Sequence, residues 1–163
     1  MRVFAADKSQ LHIVRDLAYK IWPVAYEEIL SEAQLDYMLE NFYAIPALEE
    51  QMEKKHIFLL AEENGVFYGF AAYEVNCNAT GKTKLHKIYV MPETQGKGLG
   101  KLLLSEIEKA ALTAGNSHVF LNVNRYNSAQ DFYKRLGFEI IYQEDIEIGQ
   151  GYLMEDFVME KPL

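Results

Sequence analysis

The sequence predicts an α/β protein whose core is one mixed, mostly antiparallel sheet of about seven strands. Two apolar segments, 57–63 and 66–75, flank Asn64-Gly65, the strongest short signal for an antiparallel hairpin. A strand, a helix and a second strand then follow within residues 84–124, and this order predicts a parallel pair with a right-handed crossover. With 163 residues, half of them hydrophobic, we expect one domain over the whole chain.

A short strand and an amphipathic helix begin the chain. Residues 2–6 have strand composition, and a helical pattern starts at Ser9. Its apolar face is formed by Leu11, Val14, Leu17, Ala18 and Ile21. We expect Pro23 to end this helix, because proline lacks the amide hydrogen that a helix interior uses.

Two more helices precede the first hairpin, and a second hairpin ends the chain. Ser31 and Gln34 have the spacing of a capping box, which predicts a helix start, and Pro46 begins a third helix. Segments 139–147 and 151–161 have strand composition on either side of a short turn that contains glycine. We therefore expect them to pair as antiparallel strands.

A glycine-rich loop, QGKGLGK at residues 95–101, lies between the strand at 84–91 and the helix at 98–114. The first amide groups of a helix have no intrahelical partner, and glycines allow an anion to approach the main chain. Lys97 and Lys101 add positive charge. The loop therefore predicts a site for a phosphate or pyrophosphate group.

The glycine spacing excludes two common nucleotide loops. A P-loop needs four residues between its first glycine and a Gly-Lys pair, whereas three separate Gly96 from Gly100. The dinucleotide fingerprint G-x-G-x-x-G fails because Lys101 stands where its third glycine belongs. The pattern that remains is Q-x-x-G-x-G at Gln95, Gly98 and Gly100. A glycine-rich helix start without any ligand is the simpler alternative.

This pattern resembles the acetyl-coenzyme A pyrophosphate loop of the GNAT superfamily of N-acetyltransferases. A second segment, NSAQDFYKRLGF, is similar to another superfamily signature, which is present here as Asn127, Ala129, Tyr133, Gly137 and Phe138. The resemblance runs from about residue 59 to the C-terminus. Within the superfamily, the chain looks most like the bacterial PaiA-like polyamine acetyltransferases.

The resemblance implies helices on both faces of the sheet and a splayed parallel pair at its centre. In the superfamily, the pantetheine arm of acetyl-CoA lies in the gap between these two strands. The residues that the resemblance assigns to acetyl-CoA are Ile88, Tyr89, Val90, Gln95, Gly96, Lys97, Gly98, Leu99, Gly100, Lys101 and Asn127. No Cys/His cluster has zinc spacing, so we expect no metal.

Acetyl transfer to an amine requires an uncharged amine, stabilisation of the developing oxyanion and a proton for the leaving thiolate. The resemblance implies that main-chain amide groups at residues 88–90 stabilise the oxyanion and that Tyr133 is the general acid. From the residues alone, Tyr133 would be interpreted as a buried aromatic beside Phe132 and Leu136.

His86 is the first candidate for the general base, and Glu74 is the second. Several members of the superfamily have glutamate at the position of His86. Strand alternation places His86 on the same face as Ile88 and Val90, and a histidine that titrates near neutral pH can accept a proton. The alternatives are a purely structural histidine and proton transfer to ordered water.

We expect the acceptor pocket between the N-terminal helices and the final hairpin. Aromatic rings and carboxylates suit an amine cation. The candidates for substrate binding are Trp22, Tyr26, Glu28 and Tyr152, with Glu27 and Tyr37 nearby. Equally, Trp22 belongs to the core and the glutamates to a solvated helix face.

Charge and composition limit the partners. The chain has 24 acidic and 16 basic residues, and the resulting charge of −8 disfavours nucleic acid and favours a cationic small molecule or basic peptide, although solubility alone explains such a charge. One cysteine, no signal-peptide pattern and no apolar run of membrane-spanning length predict a cytoplasmic protein without a membrane partner. We expect a monomer or a homodimer.

The sequence thus predicts an enzyme that moves an acetyl group from acetyl-CoA to a primary amine, either a small amine or a polyamine. The amine attacks directly, without an acyl-enzyme. The alternatives are a peptide or protein N-acetyltransferase, a non-catalytic coenzyme A-binding module and a nucleotide-binding protein.

Overall fold

The structure is a computed structural model that describes residues 1–163. Its strands are β1 (Arg2–Ala5), β2 (Ile57–Glu63), β3 (Val66–Glu74), β4 (Thr83–Val90), β5 (His118–Asn124), β6 (Glu139–Gly149) and β7 (Tyr152–Pro162). Its helices are α1 (Leu11–Ala25), α2 (Glu32–Tyr43), α3 (Ile45–Glu53), α4 (Leu99–Thr113) and α5 (Ala129–Arg135). None of these helices combines the length and the apolar composition that crossing a bilayer requires.

All seven strands belong to one sheet with the order β1-β2-β3-β4-β5-β7-β6. The pair β4–β5 is parallel, and the other neighbours are antiparallel. The predicted mixed sheet and its parallel pair are therefore confirmed. Asn64 and Gly65 form the turn of the β2–β3 hairpin with φ angles of 53° and 80°, as an Asn-Gly hairpin turn requires.

Helices cover both faces of the sheet because two separate apolar clusters need burial. On one face, α4 contributes Leu103 and Ile107 to a cluster of 16 buried residues. On the other face, α1, α2 and α3 pack on a cluster of 15 buried residues that includes Phe58 and Phe70 of the sheet. The sheet thus separates two cores, and the helix pattern predicted for α4 is the one that buries its apolar stripe.

The parallel pair opens along most of its length. β4 and β5 pair through only three residue pairs, from Thr83 opposite Val119 to Leu85 opposite Leu121. β5 stays paired to β7 along its whole length, and β4 stays paired to β3. Beyond Leu85, the edge of β4 that faces β5 therefore has no strand partner. This opening places a cleft in the middle of the sheet.

A β-bulge in β4 overturns the expected alternation. Lys87 lies opposite Ala72 and Leu85 lies opposite Tyr73, so His86 is an extra residue in the ladder with β3. Leu85, Ile88 and Val90 therefore pack on the α4 core. His86 turns to the opposite face, where it contacts Glu74. The expectation that His86 shares a face with Ile88 and Val90 is wrong, because a bulge shifts the period of two by one residue.

Two local expectations near the N-terminus also need correction. Pro23 lies inside α1, which continues to Ala25, because a proline in the last turn removes only one intrahelical hydrogen bond. Ser31 caps α2 by accepting from the amide of Gln34 at 3.1 Å. The Gln34 side chain completes no capping box, since it donates to the carbonyl of Leu153 at 3.1 Å and so ties α2 to β7.

Candidate active site

A cleft of about 980 Å³ occupies the opening between β4 and β5 and reaches both faces of the sheet. We call the part lined by the glycine loop, α4 and α5 the α4–α5 side. The part lined by α1, α2, β7 and the bulge of β4 is the α1–α2 side. β4 runs between the two sides, so its residues from His86 to Val90 contribute to both.

The glycine loop reaches the α4–α5 side through an uncapped helix start. Gly98 precedes α4 with φ 82°, and no side chain caps the helix. Gly96 has φ 79°, a conformation that L side chains rarely adopt. The first amide groups of α4 are therefore directed toward the loop with no intrahelical partner, which suits an anion. Gly100 has another reason for lacking a side chain, because a Cβ there would lie 3.2 Å from the ring of Phe132.

Most of the residues predicted to bind acetyl-CoA line this cleft. The structure brings together Ile88, Tyr89, Val90, Gln95, Gly96, Gly98, Leu99, Gly100, Lys101 and Asn127. Lys97 instead lines a smaller neighbouring pocket with Glu93 and Tyr68. Asn127 also stabilises the start of α5, because its side-chain oxygen accepts from the amide of Ala129 at 2.9 Å.

Tyr133 projects from α5 into the cleft, where it is 7% exposed. Its ring packs edge-on against Phe132 and Phe138. Burial, with a smaller contribution from Tyr26, raises the pKa of the Tyr133 phenol above its ordinary value. The phenol therefore keeps its proton at physiological pH and is able to donate it.

Further phenols line the α1–α2 side. The hydroxyl groups of Tyr26 and Tyr89 are 2.8 Å apart and share a hydrogen bond. Burial raises the pKa of both phenols. Trp22 packs against Tyr26, Tyr43 and Tyr89, with ring centroids 4.8 to 5.5 Å away. This aromatic wall holds α1 against β4 and faces the cleft.

His86 belongs to a cluster with His56 and Glu74. Its Nε2 atom lies 3.0 Å from Oε1 of Glu74, and Nε2 of His56 lies 3.4 Å from the same oxygen. The two imidazole rings stack with centroids 3.8 Å apart. Burial lowers the pKa of His86 to about 3 and that of His56 to about 4. Both histidines are therefore neutral at physiological pH.

The same three residues carry possible metal-ligand atoms within 4.8 Å of one another. The spacing of residues along the sequence does not reveal this cluster, because each of the three lies in a different part of the chain. The arrangement of the rings does not suit a shared ion. The imidazole planes are 14° apart, and an imidazole binds a metal in its own plane. Two stacked, nearly parallel rings cannot both point at one ion.

The charge of the cleft differs from the charge of the whole chain. The chain carries −8, but the cleft is lined by four cationic side chains, Lys84, Lys87, Lys101 and Arg135. Its one carboxylate is Asp156, which is 3% exposed and accepts from Asn122 at 3.2 Å. The acidic charge of the protein therefore lies mainly outside the cleft, which agrees with a role in solubility.

The predicted acceptor residues divide into two groups. Trp22 and Tyr26 line the cleft between the N-terminal helices and the final hairpin. Glu28 is exposed beyond the end of α1 and does not line the cleft. Tyr152 also lies outside it and packs at a tilt against Tyr37, and Tyr37 donates to the carbonyl of Ile148 at 2.6 Å. This pair instead fastens the β6–β7 hairpin to α2.

Sequence reasoning missed three residues on the α1–α2 side: Tyr43, Lys87 and Asp156. Tyr43 and Asp156 belong to segments whose spacing carries no functional pattern. Lys87 stands in β4 beside the residues assigned to acetyl-CoA, and strand alternation places it away from Ile88. A lysine in a strand next to buried residues was the one signal available for it.

Comparisons with known proteins identify relatives that match from about half of the chain to its full length. Residues 25–159 match the family model described as an acetyltransferase (GNAT) domain. The spermidine N(1)-acetyltransferase of Thermoplasma acidophilum is 29% identical over 151 residues, which cover 89% of each chain. The L-amino acid N-acyltransferase MnaT of Escherichia coli is 35% identical over 88 residues, 52% of this chain and 51% of its own. The crystal structure of PaiA N-acetyltransferase from T. acidophilum in complex with coenzyme A has a TM-score of 0.82 at 26% identity, with complete coverage of both chains.

Proposed function

The chain belongs to the GNAT family of acetyl-CoA-dependent N-acetyltransferases, and we propose that it acetylates a small primary amine bound on the α1–α2 side of the cleft. The observation that carries this proposal is the single cleft that joins the glycine loop to the aromatic wall across the open edge of β4. A donor held on one side and an amine on the other meet at β4 without an acyl-enzyme. We further propose a cytoplasmic location.

The residues of the α4–α5 side fit acetyl-CoA. The uncapped start of α4 and the glycine loop suit a pyrophosphate, and Lys101 adds a cation in the same wall. The edge of β4 beyond Leu85 has main-chain groups free to pair with an extended arm. When bound, acetyl-CoA supplies the acetyl group as a thioester.

Tyr133 is the proposed general acid. Its raised pKa means that the phenol is protonated whenever the enzyme works, and a phenol can protonate a departing thiolate. The rings of Phe132 and Phe138 fix the orientation of the Tyr133 ring. Main-chain amide groups of β4 near Ile88 are the proposed donors to the carbonyl oxygen on which negative charge develops.

His86 is the proposed acceptor of the amine proton. The Glu74 carboxylate only accepts hydrogen bonds, so Nε2 of His86 carries the hydrogen between them. Nδ1 is then left with a free lone pair, and the bulge directs the ring to the α1–α2 side. A pKa of about 3 makes His86 a weaker base than an ordinary histidine, so the ring releases the proton that it accepts to solvent water in the open cleft.

A panel of amines with acetyl-CoA, measured by release of coenzyme A thiol, tests this proposal. The panel contains polyamines, because a T. acidophilum relative is named for spermidine, and amino acids, because an E. coli relative is named for them. We expect turnover with at least one small primary amine and slower turnover with peptide N-termini. Preference for peptides would instead support the peptide N-acetyltransferase.

A non-catalytic coenzyme A-binding module is the remaining alternative. It predicts that acetyl-CoA binds, as measured by calorimetry, but that no amine in the panel releases thiol. The open α1–α2 side argues against it, because binding of coenzyme A alone does not require the additional buried phenols that line the cleft beside β4.

A further inference from the structure

Lys87 is a cation without an anionic partner on the α1–α2 side of the cleft. It lies on the face of β4 opposite to Ile88, where its Nζ atom is 5.3 Å from the centre of the Tyr43 ring of α2. It forms no salt bridge, although the chain has an excess of acidic residues. Burial, followed by the charge of Lys84, lowers the pKa of Lys87 to about 8. The side chain still carries a proton near neutral pH.

The carboxylates on this side are already bonded to other residues. Glu74 lies between His56 and His86, and Asp156 accepts from Asn122. Neither reaches Lys87 within salt-bridge distance. Lys87 is partly exposed and lines the cleft, so its ammonium is open to a ligand but has no anionic partner in the protein.

Tyr43 lies between Lys87 and Trp22. The Trp22 ring is 4% exposed and packs edge-on against Tyr43, the same residue that lies beneath Lys87. The indole Nε1 atom is buried and faces the Tyr43 phenol, so it is not open to a ligand in the cleft. Lys87 is therefore the donor on this part of the wall that a ligand can reach.

An ammonium only donates hydrogen bonds, so the missing partner is an acceptor. We infer that Lys87 binds a carboxylate of the substrate, and that the preferred substrate is a small primary amine that also carries a carboxylate, as an amino acid does. A carboxylate accepts from the ammonium, and it neutralises the cationic wall formed by Lys84 and Lys87. A polyamine brings more positive charge to that wall and offers no acceptor. This inference rests on the proposed function and narrows its substrate.

Pairs of amines that differ only in the carboxylate provide the test. Each pair contains an amino acid and its decarboxylated amine: methionine with 3-(methylthio)propylamine, leucine with isoamylamine, and phenylalanine with phenethylamine. The measurement is kcat/KM for thiol release from acetyl-CoA by the wild-type protein. We expect the amino acid to exceed its amine by about 10- to 100-fold, the value of a hydrogen bond to a charged group.

Lys87→Met removes the charge and keeps a side chain of similar length. It should reduce kcat/KM for the amino acid by more than about tenfold and for the amine by at most about threefold. Lys109→Met, which removes an exposed lysine of α4 that pairs with Glu106, is the control and should leave both values unchanged. The contrast between the two substrates separates loss of the subsite from a general loss of folded enzyme.

Four outcomes would contradict one of the two proposals. Equal kcat/KM for both members of every pair in the wild type would overturn the carboxylate subsite, as would a higher value for spermidine than for any amino acid. An equal loss for both members in Lys87→Met would also contradict it. The absence of thiol release with every amine would instead refute the proposed function, so the two failures are distinguishable.

Discussion

The two sides of the cleft recognise their ligands by different means. The α4–α5 side offers main-chain groups: an uncapped helix start, a glycine loop and the open edge of β4. The α1–α2 side offers side chains: phenols, an indole, a lysine and a histidine. Main-chain recognition depends on backbone shape, which many sequences share, whereas side-chain recognition changes with each substitution. One fold can therefore keep one donor while its acceptor varies.

The two sides also differ in how their residues are distributed along the chain. The glycine loop and α5 are two short continuous segments, each with a fixed spacing. The α1–α2 side combines Trp22, Tyr43, Lys87 and Asp156, which come from four different elements. A change on the first side therefore acts locally, and a change on the second side alters contacts among several elements.

Removing the proton donor should have the largest effect. Tyr133→Phe is expected to lower kcat by at least about 100-fold, because a positioned general acid contributes about 10²- to 10⁴-fold. The affinity for acetyl-CoA, measured by calorimetry, should remain, since the ring and its packing are kept. Tyr142→Phe, at an exposed position of β6, is the matched control. An unchanged kcat in Tyr133→Phe would remove the acid role.

A strained glycine loop should have the next largest effect, and this effect should be confined to the affinity for acetyl-CoA. Gly98→Ala places a side chain at φ 82°, which costs about 1–2 kcal/mol, and realigning the loop should weaken acetyl-CoA binding about tenfold. Gly81→Ala is the control, because Gly81 also has a positive φ of 72° and open space around it but lies outside the cleft. Equal losses of affinity in both variants would show that the α4–α5 side does not hold the donor.

The histidine cluster should make the stability of the protein depend on pH. Folding holds the pKa of His56 at about 4 and that of His86 at about 3, below the ordinary value of 6.5, so the unfolded chain binds more protons between these values. The stabilisation is complete above pH 6.5 and is lost as the pH falls toward 4 and 3. The Tm should therefore fall more steeply from pH 6.5 to 4 in the wild type than in the double variant His56→Gln/His86→Gln.

An exposed histidine supplies the control for this measurement. His12→Gln lies outside the cluster and should keep the wild-type dependence of Tm on pH. Lys84 and Lys87 remain in every variant, so they do not account for a difference in slope. Identical slopes for the wild type and the double variant would show that the pKa values of the two histidines are not depressed by folding.

The smallest expected effect concerns the aromatic wall. Tyr26→Phe removes the hydrogen bond between Tyr26 and Tyr89 and should lower the free energy of unfolding by about 1 kcal/mol. Tyr19→Phe is the control, since the Tyr19 hydroxyl makes only a long exposed contact of 3.4 Å with Glu40. Urea denaturation measures both. A loss of several kcal/mol in Tyr26→Phe would mean that this wall is essential to the fold as well as to the site.

Much of the fold was predictable from local patterns. The strand at 118–124 has the predicted bounds, and α4 begins and ends within one residue of its prediction. The GNAT resemblance and the fold class are confirmed. These features are readable because hydrophobic period, Asn-Gly turns and glycine spacing act within a few residues of each other.

The errors occurred where a distant contact competes with a local rule. The Gln34 side chain leaves its own helix start for the carbonyl of Leu153, more than one hundred residues away. His86 leaves the expected face because the register with β3 contains one extra residue. Neither partner is visible from the neighbouring sequence.

The sequence by itself determined the succession of strands and helices along the chain, the anion-binding helix start and the family. Each of these depends on spacing within one continuous segment. Only the tertiary structure decided which side chains face the acceptor. The bulge in β4, the opening of β4 from β5 and the docking of α1 and α2 place Trp22, Lys87 and His86 on one side of the cleft. Register and packing are properties of pairs of elements that are distant in the chain, and no single segment encodes them.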